Sequence, residues 1–439
     1  MKWSKRKGWG RERFGFTFSD DFENFSELTK GDNGLPVGLG RSYGDSSINS
    51  NGVSWSVKSE KFIEIDLVNK LVHVGAGVTI GELERAASKV GLFPPVVPGT
   101  EFVSIGGAIA ANIHGKSHNK FGSFVNHLVE LTLINHEGQT LILHPDGESQ
   151  KLFKATVGGI GLTGIIQSAR IRLIDIETSF FVVEDRRANN LLEVIEFIYH
   201  FDSIYDYTVA WIDFSGEFQG RGIVSGGNHA TLDQLSKKQR NNPLKIALPR
   251  NLSVPDIFPS FFINKNTIRV FNAIWFHKPI ATEIVSYMKF LHPLDSLRNW
   301  NRVYGKRGFL QYQFVVPFEH VEFLFAVLKE FRKIGAASFL TVLKKFESDD
   351  DPYLSFPIPG WTLAVDIKVG IQGLEKLLQR LDEQIILLGG RVYLVKDSRI
   401  SELHFKKMYP MYTEFLKVKT LNDPNNYWQS DQGRRLGLC

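Results

Sequence analysis

Three glycine-rich segments, all before residue 167, constrain this chain more than any other feature. The first, LPVGLGRSYGD at residues 35–45, leaves an apolar stretch and passes through Gly38, Gly40 and Gly44. At such residues the backbone turns tightly and offers its N–H groups to an anion. The spacing is not G-x-G-x-x-G and no helical periodicity follows directly, so a nicotinamide-type Rossmann unit is disfavoured. One glycine loop by itself reads as a turn. The second segment, residues 96–123, carries Gly99, Gly106, Gly107, Gly115 and Gly122, and the third, ATVGGIGLTGII at residues 155–166, adds four more. Together they predict a backbone surface wrapped around a large, flat, phosphorylated ligand, a description that a flavin dinucleotide fits.

The segments between them read as short strands with one amphipathic helix. Residues 62–77 alternate as two strands joined at Val68, Asn69 and Lys70. Thr79 and Glu82 form a capping box, Ile80, Leu83, Ala87 and Val90 share a helical face, and Gly91 is placed to stop the helix. Residues 126–143 read as a hairpin turning at His136, Glu137 and Gly138, followed by a strand ending near Glu177. This pattern is α+β, not a long βαβ array.

The chain of 439 residues is long enough for two or three folding units. Beyond residue 178 its character changes to helix-like 191–201, strands at 207–214 and 311–318, and a helix near 320–334. Residues 237–266 carry six Lys or Arg against one Asp, four prolines and an apolar FPSFF patch. They read as a long surface loop, with a mobile lid or lipid-facing flap as the functional alternative. The net charge of +5 is far from the dense basic stripe of a nucleic-acid binder, so no nucleic-acid partner is expected. Cys439 is the only cysteine, which excludes an intrachain disulfide and a Cys-rich zinc site. His114 and His118 have H-x-x-x-H spacing, but Gly115 interrupts the helix and no acidic third ligand lies nearby, so no metal is expected. The basic run MKWSKRKGWGRERFGF lacks the apolar core of a secretory signal, and no stretch reaches membrane-spanning length. The expectation is a cytoplasmic protein with a solvated, partly disordered N-terminal end, contact with anionic lipid headgroups being the second reading.

Read in order, GLGRSYGD, VVPGT with SIGGAIAANIHGKSHNKFGSF, TVGGIGLTGII, QYQFVVP, FPIPGW and YLVKDSR resemble the vanillyl-alcohol-oxidase-type (PCMH-type) FAD oxidoreductases, and among them those that oxidise polyprenyl-phosphoryl ribose. The resemblance covers nearly the whole chain. It implies a two-lobed FAD-binding domain from residues 1–178 and 390–439, with an inserted α+β substrate (cap) domain at 179–389. By position, Gly38, Leu39, Gly40, Arg41, Ser42, Tyr43, Gly44 and Asp45 would hold the FAD pyrophosphate and approach the ring. Gly99, Ser104, Ile105, Gly106, Gly107, Asn112, His114 and Gly115 would line the cofactor, with Ile166 at its adenine end and Tyr393 and Lys396 at the isoalloxazine.

The resemblance also implies Lys396, Tyr43 and Lys116 as the polar groups of the chemistry, Lys396 either stabilising developing negative charge or orienting the sugar hydroxyl. Gln311, Gln313, Lys344 and Trp211 would line the sugar-phosphate pocket, with Lys344 on the phosphate. Without the resemblance, Lys396 reads as a solvated or paired lysine, QYQFVV as a strand with a wet face, and Trp211 as core. Relatives that attach FAD covalently do so through a His where this chain has Arg41, so non-covalent FAD is expected. Ala364 stands where familiar members carry a cysteine beside the flavin, so chemistry dependent on that thiol should be absent. The implied reaction oxidises the C2′ hydroxyl of a polyprenyl-phosphoryl β-D-ribofuranose. A separate NAD(P)H-dependent short-chain reductase would complete the epimerisation, a quinone or other acceptor would take the electrons, and peripheral membrane contact would deliver the lipid. A soluble sugar or alditol oxidase and a non-catalytic sugar-phosphate or lipid scaffold are the competing readings.

Overall fold

The computed structural model describes residues 2–21, 23, 25, 33–58, 60–215, 220–246, 252–256 and 263–439. Three sheets carry most of it. In the first, β1 (Lys2–Lys7) pairs antiparallel with β2 (Phe14–Asp21), and β3 (Gly34–Val37) and β4 (Val53–Ser56) extend it in parallel, in the order β1-β2-β4-β3. The N-terminal end is therefore not disordered, as its charge suggests. Alternation at Phe14, Phe16 and Phe18 opposite Trp3, Lys5 and Lys7 makes it a hairpin, a period-two signal hidden under the basic residues.

The second sheet is antiparallel: β5 (Ile63–Asp66), β6 (Leu71–Gly75), β8 (Leu128–Ile134), β9 (Thr140–Leu143) and β10 (Ile165–Arg172), ordered β5-β6-β10-β8-β9, beside a two-residue pair of β7 (Leu92–Phe93) and β11 (Ile174–Asp175). The helix Ile80–Ser88 follows β6 and starts as expected: the Glu82 amide donates to Thr79 Oγ1 at 3.0 Å, and the Thr79 amide to Glu82 Oε2 at 2.8 Å. Ile80, Leu83 and Ala87 are buried, but the helix ends before Val90, which is exposed.

The third sheet is antiparallel throughout and built from β12 (Phe180–Ala188), β13 (Tyr207–Asp213), β14 (Arg221–His229), β15 (Glu283–Ser286), β16 (Phe309–Val316), β17 (Thr341–Phe346), β18 (Gly360–Lys368) and β19 (Arg391–Val392), in the order β15-β12-β14-β13-β17-β18-β16-β19. Its two faces are used differently. On β16, Tyr312 and Phe314 point to the core, where Tyr312 meets Asp382 of the helix Leu374–Leu387 and both rings meet phenylalanines of the helix Glu322–Lys333. Gln311 and Gln313 point the other way.

Of the long segment 237–266, the described part holds the short helix Lys237–Arg240 and the start of the helix Lys265–Phe276. The FPSFF patch at 258–262 lies outside the described residues. Among the described residues no helix is long and apolar enough to cross a membrane.

Candidate active site

The glycine segments and the outward face of the third sheet enclose a cavity of about 920 Å³. β3 runs directly into its wall. At the end of this strand the amides of Leu39, Gly40, Arg41 and Ser42 have no acceptor within the chain among the described residues. Gly40 adopts φ +62°, which turns the loop in a way a side chain resists. The hydroxyls of Ser46 and Ser47, buried at the same wall, are also without partners. A row of unused donors beside apolar Val37, Ala110, Ala111, Ile113 and Ile160 suits a ligand that is anionic at one end and flat and apolar at the other.

The opposite wall is the sheet. Five adjacent strands contribute residues that face the cavity: Ile223 and Ser225 of β14, Val209, Ala210 and Trp211 of β13, Val342 and Lys344 of β17, Ala364 of β18, and Gln311 and Gln313 of β16. The C-terminal return closes the third side. The Tyr393 amide donates to Gln313 O at 2.9 Å and the Tyr43 amide to Val395 O at 3.0 Å, clamping residues 393–396 between β16 and the first glycine loop. This brings Lys396 Nζ 3.7 Å above the Tyr43 ring.

Asp366, which sequence reasoning missed, completes the centre. It is fully buried and accepts from Gln311 Nε2 at 2.5 Å, while that amide nitrogen also lies 3.5 Å from the Tyr43 hydroxyl. Burial raises the Asp366 pKa and lowers that of Lys396, and each charge pulls the other back toward ionisation. Burial, reinforced by Asp366, holds Tyr43 well above the usual phenol range, so its hydroxyl keeps its proton. The signal for Asp366 was a lone carboxylate two residues beyond Ala364 in the apolar run GWTLAVDIK, directly opposite Gln311 in the β16–β18 register.

A second cationic group lies at the 114–116 wall. Lys116 Nζ donates to Leu291 O at 2.9 Å and Lys344 Nζ to Gly115 O at 3.3 Å. Burial, then Lys344, pushes Lys116 down to about 7, and burial brings Lys344 to about 8. Burial, followed by the neighbouring Lys344, His118 and Lys396, keeps His114 neutral. Its Nε2 lies 3.1 Å from Gln313 Nε2 and so serves as acceptor, leaving the proton on Nδ1, which has no partner among the described residues. His118 packs its ring against Phe346, and no group of three potential metal ligands occurs among the described residues.

Of the remaining expected residues, Gly38, Gly99, Ser104, Gly107, Gly115, Trp211 and Tyr393 line the cavity. The Trp211 indole donates to Phe339 O at 2.9 Å, and the Tyr393 hydroxyl to Ala111 O at 3.1 Å. Arg41 also lines it, but its guanidinium lies 4.0 Å over the Trp9 ring and its Nε donates to Phe102 O at 3.1 Å. Gly44, Asp45, Ile105, Gly106, Asn112 and Ile166 are not in the lining. A Cβ on Gly44 would stand 1.9 Å from Asp397 O, so this glycine allows the loop to pack on the C-terminal return. Asp45 instead accepts two hydrogen bonds from Arg435, at 2.7 and 2.9 Å. Asn112 donates to Asp350 and Ser355, each at 2.8 Å, and accepts from the Val125 amide at 3.0 Å. Ile105 and Ile166 belong to the core, and Gly106 rests on Ala76.

An FAD binding domain family matches residues 29–144, spanning the first two glycine segments. The chain is 41% identical over 409 residues to decaprenylphosphoryl-beta-D-ribose oxidase of Mycolicibacterium smegmatis, covering 91% of this chain and 88% of that protein. It is 29% identical over 371 residues to an uncharacterized protein of Streptomyces coelicolor, covering 82% of this chain and 100% of the other. A D-lactate dehydrogenase of Archaeoglobus fulgidus is 33% identical over 128 residues, 28% of each chain.

Proposed function

Because the chain belongs to the decaprenylphosphoryl-β-D-ribose oxidase family of FAD-dependent oxidoreductases, we propose that it oxidises the C2′ hydroxyl of a polyprenyl-phosphoryl β-D-ribofuranose to the 2′-keto sugar, the first half of epimerisation to the arabinose form. The observation that carries this reading is the buried set of Tyr43, Gln311 and Lys396 lining the cavity that the glycine loops enclose, with Asp366 behind Gln311.

Held by these loops, FAD would supply the hydride acceptor for the oxidation. The chain must then position the sugar carbon and take the hydroxyl proton. Lys396, held toward its neutral form by burial, receives the proton, and Asp366 stabilises the ammonium that results. Gln311 and Gln313 orient the sugar from adjacent positions on one strand face, and Lys116 and Lys344 hold the phosphate. The unused amides at 39–42 and the Ser46 and Ser47 hydroxyls suit the FAD pyrophosphate. By this reading residues 1–178 and 390–439 form the FAD-binding domain, and residues 179–389, which supply seven of the eight strands of the third sheet, form the inserted substrate domain. The keto product requires a separate reductase using NAD(P)H, and the electrons require an acceptor such as a quinone. By this reading a lipid-borne substrate calls for peripheral contact between a cytoplasmic protein and a membrane.

The test is an anaerobic visible spectrum of the yellow protein with a short-chain polyprenyl-phosphoryl ribose. Loss of the yellow band is expected. No loss removes the substrate, and an equally prompt loss with free ribose favours a soluble-sugar oxidase.

Two further results are expected. With Arg41 engaged by Trp9 and Phe102, nothing at that position forms a bond to flavin, so acid precipitation should leave a colourless pellet and a yellow supernatant. Lys344 loses its proton as pH rises through about 8, and Lys116 as it rises through about 7. The KM for the phosphorylated sugar should therefore climb in this window, by up to about tenfold per pH unit for each lysine that must be charged. A KM flat from pH 6 to 9 would remove both lysines from the phosphate.

A further inference from the structure

The β1–β2 hairpin carries a surface that the oxidation does not use. Its register sets Trp3 opposite Phe18, Lys5 opposite Phe16 and Lys7 opposite Phe14, so these six side chains share one face. The four aromatic residues are exposed by 48% (Trp3), 38% (Phe18), 45% (Phe16) and 53% (Phe14). They also touch: Trp3 lies 4.5 Å from Phe18 and 6.0 Å from Phe16, centroid to centroid, and Lys5 Nζ is 3.7 Å above Phe14. The other side of β2 is spoken for, since Thr17 is buried and hydrogen bonds to Ser54 Oγ and Gly52 O. Single exposed aromatics are ordinary, but four in contact, interleaved with lysines, form a patch.

We propose that this face docks the protein on an anionic phospholipid bilayer. Aromatic rings on such a face enter the headgroup zone while lysine ammonium groups meet anionic headgroups; by the alternation of β2 the carboxylate on this face is Asp20, at the far end of the strand beyond Phe18, while Lys5 and Lys7 lie opposite Phe16 and Phe14. A second copy of the chain fits less well: β1 is the edge of its sheet, and Lys2, Lys5 and Lys7 along it oppose edge-to-edge pairing. The hairpin is also next to the cavity. Trp9, two residues past the end of β1, lines the cavity wall and stacks on Arg41. At about 3.3 Å per residue, a docked hairpin holds this wall within ~10 Å of the headgroups. The biological sense of the surface rests on the lipid-borne substrate proposed above, but vesicle binding is measured with no substrate present.

The experiment is co-sedimentation of the flavin-loaded full chain with phosphatidylcholine vesicles, with and without phosphatidylglycerol. Binding that increases with phosphatidylglycerol is expected. A Trp3→Thr, Phe14→Thr, Phe16→Thr, Phe18→Thr variant, which keeps good strand residues, should bind at least about tenfold more weakly while retaining flavin. A Lys5→Gln, Lys7→Gln variant should lose roughly tenfold on anionic vesicles and little on neutral ones. Wild-type protein that stays in the supernatant, variants that bind as wild type does, or a concentration-dependent dimer without lipid affinity would each overturn the proposal. Vesicle binding with no spectral response to the ribose lipid would refute only the substrate.

Discussion

Lys396→Met should lower turnover by about 10²- to 10⁴-fold while the protein still holds its flavin, measured as kcat in anaerobic single-turnover traces and as bound flavin after desalting. Met keeps the length of the stem over the Tyr43 ring and removes the amine placed to take a proton beside Asp366. The pH dependence separates this role from packing. Burial lowers the Lys396 pKa, so the neutral form gains population as pH rises, and kcat in the wild type should rise through this pKa to a plateau. In the Met variant that limb should vanish. Lys396→Arg restores the charge but cannot give up its proton, so it should not restore kcat. If Arg supports near-normal turnover, Lys396 acts only as a fixed charge.

The largest loss of stability is expected from His292→Ala. His292 Nε2 and Glu84 Oε1 lie 2.8 Å apart with both side chains fully buried. Removing one member of such a pair leaves the other uncompensated and costs about 3–5 kcal/mol, to be read from urea unfolding of the flavin-loaded protein. The damage should reach the cavity as well. His292 immediately precedes the turn Pro293–Ser296, where Asp295 accepts from Thr100 Oγ1 at 2.7 Å and from the Glu101 amide at 2.6 Å, and Glu101 in turn pairs with Arg85. The variant should therefore release flavin more easily than wild type. Burial raises Glu84 above the ordinary carboxylate range in the folded protein. Its linked contribution is present below the unfolded pKa and is lost as pH rises through the folded one, so Glu84→Gln should flatten that part of the stability profile. Unchanged unfolding in His292→Ala would mean that the pair is neutral and replaceable.

Local features were legible in the sequence and distant pairings were not. The Thr79 capping box, the 126–143 hairpin and the first glycine loop each depend on residues within a few positions of one another, and all three formed. Tyr43 and Lys396 each sit in a motif, and the structure brings the two motifs together at the cavity wall. Asp366 was missed because its partner Gln311 is 55 residues away and only the strand register joins them. Distance also hides the partner of Asp45, which sits in the glycine motif and is held by Arg435, 390 residues on. Glu84 and His292, 208 residues apart, carry no local signature at all. The N-terminal hairpin did have one, an alternation of aromatics that the surrounding positive charge obscured.

The two-faced third sheet has a consequence for how this enzyme changes over time. On β16 and β18 the residues that meet the helices alternate with those that meet the cavity, so what keeps the protein folded and what chooses its substrate occupy opposite sides of the same strands. A mutation at one parity is filtered for stability, and a mutation at the other mainly for specificity. Ala364 lies at a cavity-facing position, between Gln313 of β16 and Val342 of β17. A change in side-chain size there redraws the pocket while Leu363 and Val365 go on filling the core, which gives a lineage a way to take up a new sugar or lipid without rebuilding the fold.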